Sequence, residues 1–364
     1  MKIVISGYVG KKITGIGRNL LCLIHNVSKN NKYVIYTNYD MEKEFANIVS
    51  ENVTVKYYSV SKDNSWGNLL WTTFVFPFIV LKEKADVSLI PNFTLLLLKF
   101  KPTVVIMHDL IEFNVPNKFS KLKMFYRTKL ADPITALRAN HIITVSKNSK
   151  QDIMKFLKVN KNKIDVIYNG VNDINFYRNV EEKSEYENNN YILYVGTVDH
   201  PGKNVISVIK TFERLKDNDK YLGQLLIAGM PGAGYDFVEN YVNNSLYKDQ
   251  IKLLGYVSDN DLVKLYSNCD LFCFLSLYEG FGIPPLEALA CGAKVVVSNN
   301  SSLPEVIGEM GYTVSPYDLD EIYNVVTRAL DEEKPSSNKI REHLLKFKWE
   351  KLANKLENVL ERSI

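Results

Sequence analysis

The chain has 364 residues, 46% hydrophobic and 24% charged, which excludes a disordered chain and exceeds what one hydrophobic core organises, so two folded domains are expected. Its net charge of +4 is unevenly divided: residues 1 to 172 carry 25 Lys+Arg against 12 Asp+Glu (+13), and the rest 20 against 29 (−9). The basic first half predicts a face turned toward lipid phosphate, an acidic membrane or nucleic acid, or a solvated basic surface with no partner.

In chain order, Met1 to Ser6 reads as a short strand, too brief for the apolar core of a signal peptide, so export is not expected and a cytoplasmic protein is. Gly7-Tyr8-Val9-Gly10 follows, then Gly15-Ile16-Gly17 before an apolar helix from Arg18 to Val27. Glycines at a helix start let backbone N-H groups approach a phosphate, but the third position of a dinucleotide fingerprint holds Leu20, and a plain connection fits as well. Strands are expected at Tyr33-Tyr36, Val53-Tyr57, Val87-Ile90, Thr103-Met107, His141-Val145 and Lys163-Ile167, with a helix at Asn148-Phe156. Such runs, apolar throughout and rich in Val and Ile, are those of a parallel sheet buried on both faces. Leu69 to Leu81 is apolar, too short to span a bilayer and interrupted by Pro77, and reads as a buried or interfacial helix. Lys118 to Lys129 interleaves cations with aromatics, as on a helix resting on an anionic membrane or an ordinary surface helix.

Tyr177 to Asn190, acidic and rich in Asn, marks the boundary between a domain at 1–172 and another at 173–348. A second alternating set then runs through strands Tyr191-Val195, Gln224-Ala228, Ile251-Leu254, Leu271-Leu275 and Lys294-Ser298, with helices Val205-Leu215 and Asp259-Tyr266. An amphipathic helix, Trp349 to Arg362, closes the chain. The fold class is therefore α/β, two Rossmann-like domains in tandem, with ligands expected at the carboxyl ends of both sheets. Cys22, Cys269, Cys273 and Cys291 lack paired metal-ligand spacing and read as reduced core thiols.

Four segments hold candidate chemistry. His108 and Asp109 directly follow a buried strand, where such sheets present functional side chains. Lys203 lies near a helix N-terminus, after Gly196-Thr197, where a cation is unfavourable unless an anion binds beside it. Glu279 and Glu287 flank Gly280, Phe281, Gly282, Ile283 and Pro284-Pro285: glycines leave backbone N-H groups open to a phosphate, proline suits the first helical turn, and the two carboxylates can accept hydroxyl groups of a sugar and a ribose. The Asp-x-Asp pairs at 217–219, 259–261 and 318–320 read as helix caps and turns, so no metal site is inferred.

The block Gly255-Tyr256-Val257, Leu262 to Tyr266, Ser276 to Gly282, Ala290-Cys291-Gly292 and Ser301 to Val306 resembles the retaining glycosyltransferases of family 4, which have the GT-B fold; Tyr168-Asn169-Gly170-Val171, Val145 to Ser149 and Phe347 to Glu350 agree. The likeness covers nearly the whole chain and is greatest to bacterial mannosyltransferases of polysaccharide and O-antigen synthesis. It implies domains facing across a cleft, with the last helix, about 349–364, crossing back to the first. It implies that Gly15 and Gly17 approach donor phosphates or acceptor, His108 the transferred sugar, Lys203 the diphosphate, Glu279 the sugar and Glu287 the ribose. Phe281, Gly282 and Ile283 would supply the backbone of the donor loop, and Tyr256 and Val257 would border the base. Thr197 departs from the Arg that many members have there, shifting charge neutralisation toward Lys203. The resemblance further implies a hexosyltransferase working with retention and no metal or cofactor, on a nucleotide sugar, GDP-mannose foremost and UDP-hexose or dTDP-rhamnose behind it. Its acceptor would be a glycan or lipid-linked, for O-antigen or capsule, at the inner face of the membrane. A GT-B nucleotide-sugar epimerase and a silent nucleotide-binding subunit are the alternatives. Nucleic acid is not expected as a partner, for the basic half holds no recognisable module.

Overall fold

Alternation along the first strands explains why they are apolar without interruption. Ile3 and Ile5 of β1 (Lys2–Ser6) enter one core with Tyr33 and Ile35 of β2 (Lys32–Asn38), whereas Val4 and Val34 enter another on the opposite face. The computed structural model describes residues 1–7, 15–58, 65–92, 95–115, 119–171 and 190–364. It divides into two compact units, Met1–Gly170 with Trp349–Ile364, and Val171–Lys348. Tyr8 to Gly10, Lys118 and all of the expected junction except Asn190 lie outside the described residues.

The first unit continues with β3 (Val53–Tyr58), β4 (Val87–Ile90), β5 (Thr103–Ile106), β6 (His141–Thr144) and β7 (Ile164–Val166), and its parallel sheet has the order β3-β2-β1-β4-β5-β6-β7. The second unit holds β8 (Tyr191–Val195), β9 (Gln224–Ala228), β10 (Ile251–Gly255), β11 (Leu271–Phe274), β12 (Val295–Ser298) and β13 (Tyr312–Val314), parallel in the order β10-β9-β8-β11-β12-β13. In both sheets the order reverses beside the first strand, at β1/β4 and β8/β11. Loops leaving the carboxyl ends of those strands part there and leave a crevice for a ligand. Strand β13 is absent from the sequence reading because three residues at a sheet edge, one of them exposed, carry no apolar run.

Helix α1 (Gly15–His25) begins three residues before the expected start, so that Gly17 is buried in its first turn. Helix α2 (Lys147–Leu157) is capped by Ser146, whose Oγ accepts the Ser149 N-H at 3.0 Å. In the second unit α3 (Val205–Asp217) follows β8, and α4 (Ile283–Ala290) follows β11. The closing helix α5 (Trp349–Arg362) belongs to the first unit, where Leu352, Leu356, Val359 and Leu360 fill the core beside α1. Its Glu357 is buried and accepts hydrogen bonds from Tyr33 Oη at 2.6 Å, Ser28 Oγ at 2.8 Å and Asn31 Nδ2 at 3.1 Å. Burial pushes that carboxyl's pKa up, and these donors together hold it below the ordinary value.

Two helices of this unit pass through prolines by widening the turn before them. Trp71–Val75 and Tyr126–Ala131 are π-helical, and Pro77 and Pro133 stand at the start of the α-helical segments that follow, where their missing N-H groups disturb the ladder least. The apolar stretch from Leu69 is thus one helix with Phe76, Ile79 and Val80 in the core. Among the described residues no helix is long and apolar enough to cross a membrane.

Beneath the end of β5 lies a buried acidic pair. Glu112 is ion-paired with Arg127 at 3.2 Å, and the oxygens of Glu112 and Asp132 accept no conventional hydrogen bond. Burial, then the neighbouring Glu112 carboxylate, pushes the Asp132 pKa up to about 10, so Asp132 is protonated at neutral pH.

Two stability predictions follow from these groups. Glu357→Ala leaves three donors without their acceptor and is expected to destabilise the protein by about 2–4 kcal/mol in urea unfolding; a loss within about 0.5 kcal/mol would refute the role of the network. Because the folded-state pKa of Asp132 is raised, the stability it contributes is complete below the unfolded carboxyl value of about 4 and is lost as pH rises toward 10. Asp132→Asn should therefore melt close to wild type at pH 5 and at least about 4 °C above it at pH 9, whereas a difference independent of pH would contradict a proton retained on Asp132.

Candidate functional site

The reversal of strand order in the second sheet places two loops side by side, one from β8 and one from β11. They are tied by backbone: Leu277 N-H donates to Gly202 O at 2.9 Å, and Ser276 Oγ to the same carbonyl at 3.3 Å. Across this junction Lys203 Nζ meets Glu279 Oε1 at 2.6 Å, with both side chains mostly buried. The anion expected beside Lys203 is therefore present as a carboxylate of the chain itself. The helix-dipole argument for a bound diphosphate is weakened accordingly, since Glu279 already neutralises the lysine.

The backbone around Glu279 is held from a third loop. Glu279 N-H donates to Ser301 Oγ at 3.1 Å, while Ser302 Oγ lies 3.0 Å from Glu279 O and 2.6 Å from Phe281 O. Gly282 has φ +106°, and a Cβ there would stand 2.6 Å from Leu303 Cδ2, so only glycine fits. It caps α4, whose first turn carries Pro284 and Pro285, residues with no N-H that would otherwise be left unpaired. Ile283 opens that helix, and Phe281 is buried with its ring 5.8 Å from that of Phe347. Glu287 stands farther along α4 and accepts Tyr266 Oη at 3.2 Å; burial, then this carboxylate, pushes the tyrosine pKa well up.

Thr197 is exposed, and its carbonyl accepts Tyr194 Oη at 3.1 Å. Burial, then Glu279 and Asp199, raises the Tyr194 pKa, and that buried ring stacks 5.8 Å from Phe274 at the end of β11. The ends of β8, β9 and β10 approach closely: Gly196 N-H donates to Ala228 O at 2.9 Å and Gly229 N-H to Gly255 O at 2.7 Å. Tyr256, 68% exposed, and half-buried Val257 follow directly after Gly255. Lys203, Glu279, Phe281, Gly282, Ile283 and Thr197 thus gather at one end of the second sheet, with Tyr256 and Val257 at the end of its strand β10.

The Asp-x-Asp pairs are helix ends, Asp318 capping Leu319–Asp331 by accepting the Asp320 and Glu321 N-H groups at 3.0 Å and Asp259 lying one residue past the cap Ser258. Among the described residues no three His, Cys, Asp or Glu side chains gather as metal ligands. Cys269, Cys273 and Cys291 are buried thiols whose pKa burial pushes up.

Gly15, Gly17 and His108 belong to the first unit. His108 Nε2 lies 3.0 Å from Pro91 O at the end of β4, and Ser149 Oγ donates to His108 O at 3.1 Å, so the loop after β5 is fixed from two sides. Burial lowers the His108 pKa and raises that of Asp109. The neutral ring donates through Nε2 and carries its lone pair on Nδ1. A Cβ on Gly15 would meet nothing within 4 Å. Sequence reasoning missed Ser301 and Ser302 as the clasp of the Glu279–Phe281 loop; their place in the Ser301 to Val306 block was the available signal.

The sequence profile described as "Glycosyltransferase Family 4" matches residues 14–173, and that described as "Glycosyl transferases group 1" matches residues 176–347. The chain is 30% identical over 242 residues to the O-antigen chain mannosyltransferase B of Escherichia coli, an alignment covering 65% of this chain and 63% of that protein. It is also 30% identical over 268 residues to the serotype-specific mannosyltransferase WbdA of the same organism, covering 69% of this chain but 32% of WbdA. The chain thus spans less than two thirds of the length of these relatives. Among solved structures, that of Anabaena HepE in complex with UDP and glucose aligns over 99% of both chains with a TM-score of 0.75 at 16% identity, a likeness of fold. Two Rossmann-like parallel-sheet units matched in succession by these profiles place the chain in the family 4, group 1 glycosyltransferases of GT-B fold.

Proposed function

We propose that this protein transfers a hexose from a nucleotide sugar to a glycan or lipid-linked acceptor in the synthesis of a cell-surface polysaccharide. The observation that carries the proposal is the Lys203–Glu279 contact of 2.6 Å at the point where the order of the second sheet reverses. An incoming diphosphate takes Lys203 as its cation, and the released carboxylate of Glu279 accepts hydroxyl groups of the sugar. The N-terminus of α4 at Gly282 and Ile283 adds its dipole to the diphosphate. Glu287 receives ribose hydroxyls, with Tyr256 and Val257 beside the base and Thr197 near the leaving group. His108, with Gly15 and Gly17, serves the transferred sugar and acceptor.

The transfer proceeds with retention at the anomeric carbon. The departing phosphate oxygen accepts the acceptor's hydroxyl proton as the new glycosidic bond forms on the same face, and the chain stabilises the diphosphate charge while holding both reactants. A double displacement needs a free carboxylate close beneath the anomeric carbon, and in this reading the released Glu279 is instead engaged by hydroxyl groups of the sugar. Lysine and the helix dipole supply the neutralisation, so no metal is required. GDP-mannose is the preferred donor, in keeping with the mannosyltransferase relatives. Work at the inner face of a membrane follows from a lipid-linked acceptor.

A panel of nucleotide sugars tests this reading with a chelator present throughout. GDP-mannose at about 100 times its Kd should stabilise the fold by about 2.7 kcal/mol in thermal unfolding and be slowly hydrolysed. Greatest stabilisation by a UDP- or dTDP-sugar would replace the donor, and no response to any would overturn the function. The lysine–carboxylate pair yields effects of opposite sign. Lys203→Ala should weaken nucleoside diphosphate binding about 10- to 100-fold. Glu279→Gln, which frees the lysine, should bind bare diphosphate at least as tightly as wild type while turnover falls about 100-fold. Equal loss of diphosphate affinity in both variants would sink the assignment.

A further inference from the structure

Strand β3 stands at the edge of the first sheet, where a strand is ordinarily blunted by lysine, proline or a bulge. Here it ends in adjacent tyrosines, Tyr57 and Tyr58, whose side chains leave on opposite faces of the sheet. The parallel register sets them level with Thr37 and Asn38, the last residues of β2. Tyr39, next along the chain, lays its ring on that of Tyr57, with centroids 5.8 Å apart and planes inclined by 27°. On the other face the Tyr58 ring stands 5.9 Å from that of Tyr36 and edge-on to Trp71 at 5.4 Å. Trp71 is itself fixed, its Nε1 donating to Ser6 Oγ at 3.0 Å.

The inner rings of these groups, Tyr36 and Trp71, are buried and Tyr57 is half-buried, but the outer rings stay in water, Tyr39 60% and Tyr58 42% exposed. Strand propensity accounts for tyrosine on β3, though not for Tyr39, which lies past the end of β2. Rings packed from beneath lose little further freedom when a ligand settles on them. Hydrogen-bonding groups stand beside them. Asp40, Glu42 and Lys43 are exposed next to Tyr39, and burial, then Glu42, raises the Tyr57 pKa, as expected of a carboxylate near the stacked pair. Lys56, on the face of Tyr58, is paired with Glu83 at 2.5 Å.

We infer that this sheet edge binds a neutral glycan chain, at a site two strands removed from β1 and separate from the loops proposed for the transfer. A pyranose has an apolar C-H face and a rim of hydroxyl groups. The faces lie on the rings of Tyr39 and Tyr58, while the rims bond to the tyrosine hydroxyls and to Asp40 and Glu42. Charge decides against a nucleic acid or an acidic polymer, since the acids beside Tyr39 outnumber Lys43 and Lys56 is already neutralised. A growing polymer held at this edge keeps its free end at high local concentration, so that two weak sites act as one strong one. The inference rests on the proposed hexosyl transfer for the identity of the polymer, not for its binding.

Retention of the full chain on immobilised mannan, dextran and galactan tests the surface. Wild type should be retained by at least one of these neutral polymers, and retention should persist at about 0.5 M salt. Tyr39→Ala with Tyr58→Ala should weaken it at least about tenfold, whereas Tyr39→Phe with Tyr58→Phe, which keeps the rings, should stay within about threefold of wild type. Thermal stabilisation by nucleotide sugar should persist in both double variants, a readout that separates loss of glycan binding from failure of the proposed activity. Tyr39→Ala alone, at the more exposed ring, serves should the double variant fold poorly, with an expected loss of about threefold. Wild type retained by none of the three polymers, alanine variants retained equally, retention only by a polyuronate and lost in salt, or self-association that the variants abolish without a change in retention would each overturn the inference.

Discussion

The ion pair between Lys203 and Glu279 is the interaction on which the organisation of the second unit turns. A lysine near the start of a helix is disfavoured by the helix dipole, and a mostly buried carboxylate is disfavoured by lost hydration; each relieves the other only because their loops emerge from neighbouring strands. That adjacency is a property of the strand order, for β8 and β11 lie together although three α-helices, a 3-10 helix and two strands separate them in sequence. The serines at 301 and 302, reaching in from the loop after β12, hold the carboxylate's backbone in place. Three loops from three strands thereby fix one charge pair before any ligand arrives.

Such an arrangement favours exchange over simple capture. A lysine left bare would bind any anion, and a carboxylate left bare would repel a diphosphate. Paired, they present little net charge, so a ligand gains most if it offers an anion to the lysine and hydroxyl groups to the carboxylate together. A nucleotide sugar carries both, joined by one phosphoester bond, which is the chemical ground for the proposed donor class.

Much of this was legible in the sequence. Strands β1, β4, β8 and β9 coincide with their apolar runs, since burial on both faces of a parallel sheet leaves continuous runs of Val, Ile and Leu. Glycine at 282 was legible because its backbone conformation permits little else. What escaped was set by neighbours distant in sequence. The Lys203–Glu279 contact joins residues 76 positions apart, and no local pattern announces which anion a lysine will meet. Edge strand β13 escaped because it buries too little to require a run. The early start of α1 escaped because glycine is a poor predictor of helix, and only the packing of Gly17 against its surroundings decides the matter.

The two units solve the burial of charge by different means, and the difference bears on what each can recognise. In the second, a buried acid is matched with a base, and the pair can be opened by a ligand that supplies both partners. In the first, Glu112 and Asp132 have one Arg127 between them, and the imbalance is met by retaining a proton. A protonated Asp132 carries no charge to exchange with a ligand. In the proposed reading, recognition by the first unit falls to His108, Gly15 and Gly17 and to a chain segment in which cations exceed acids. An excess of 13 positive charges in residues 1 to 172 suits an acceptor that carries phosphate, so the asymmetry of charge in the sequence has its counterpart in the division of donor and acceptor chemistry proposed for the two units.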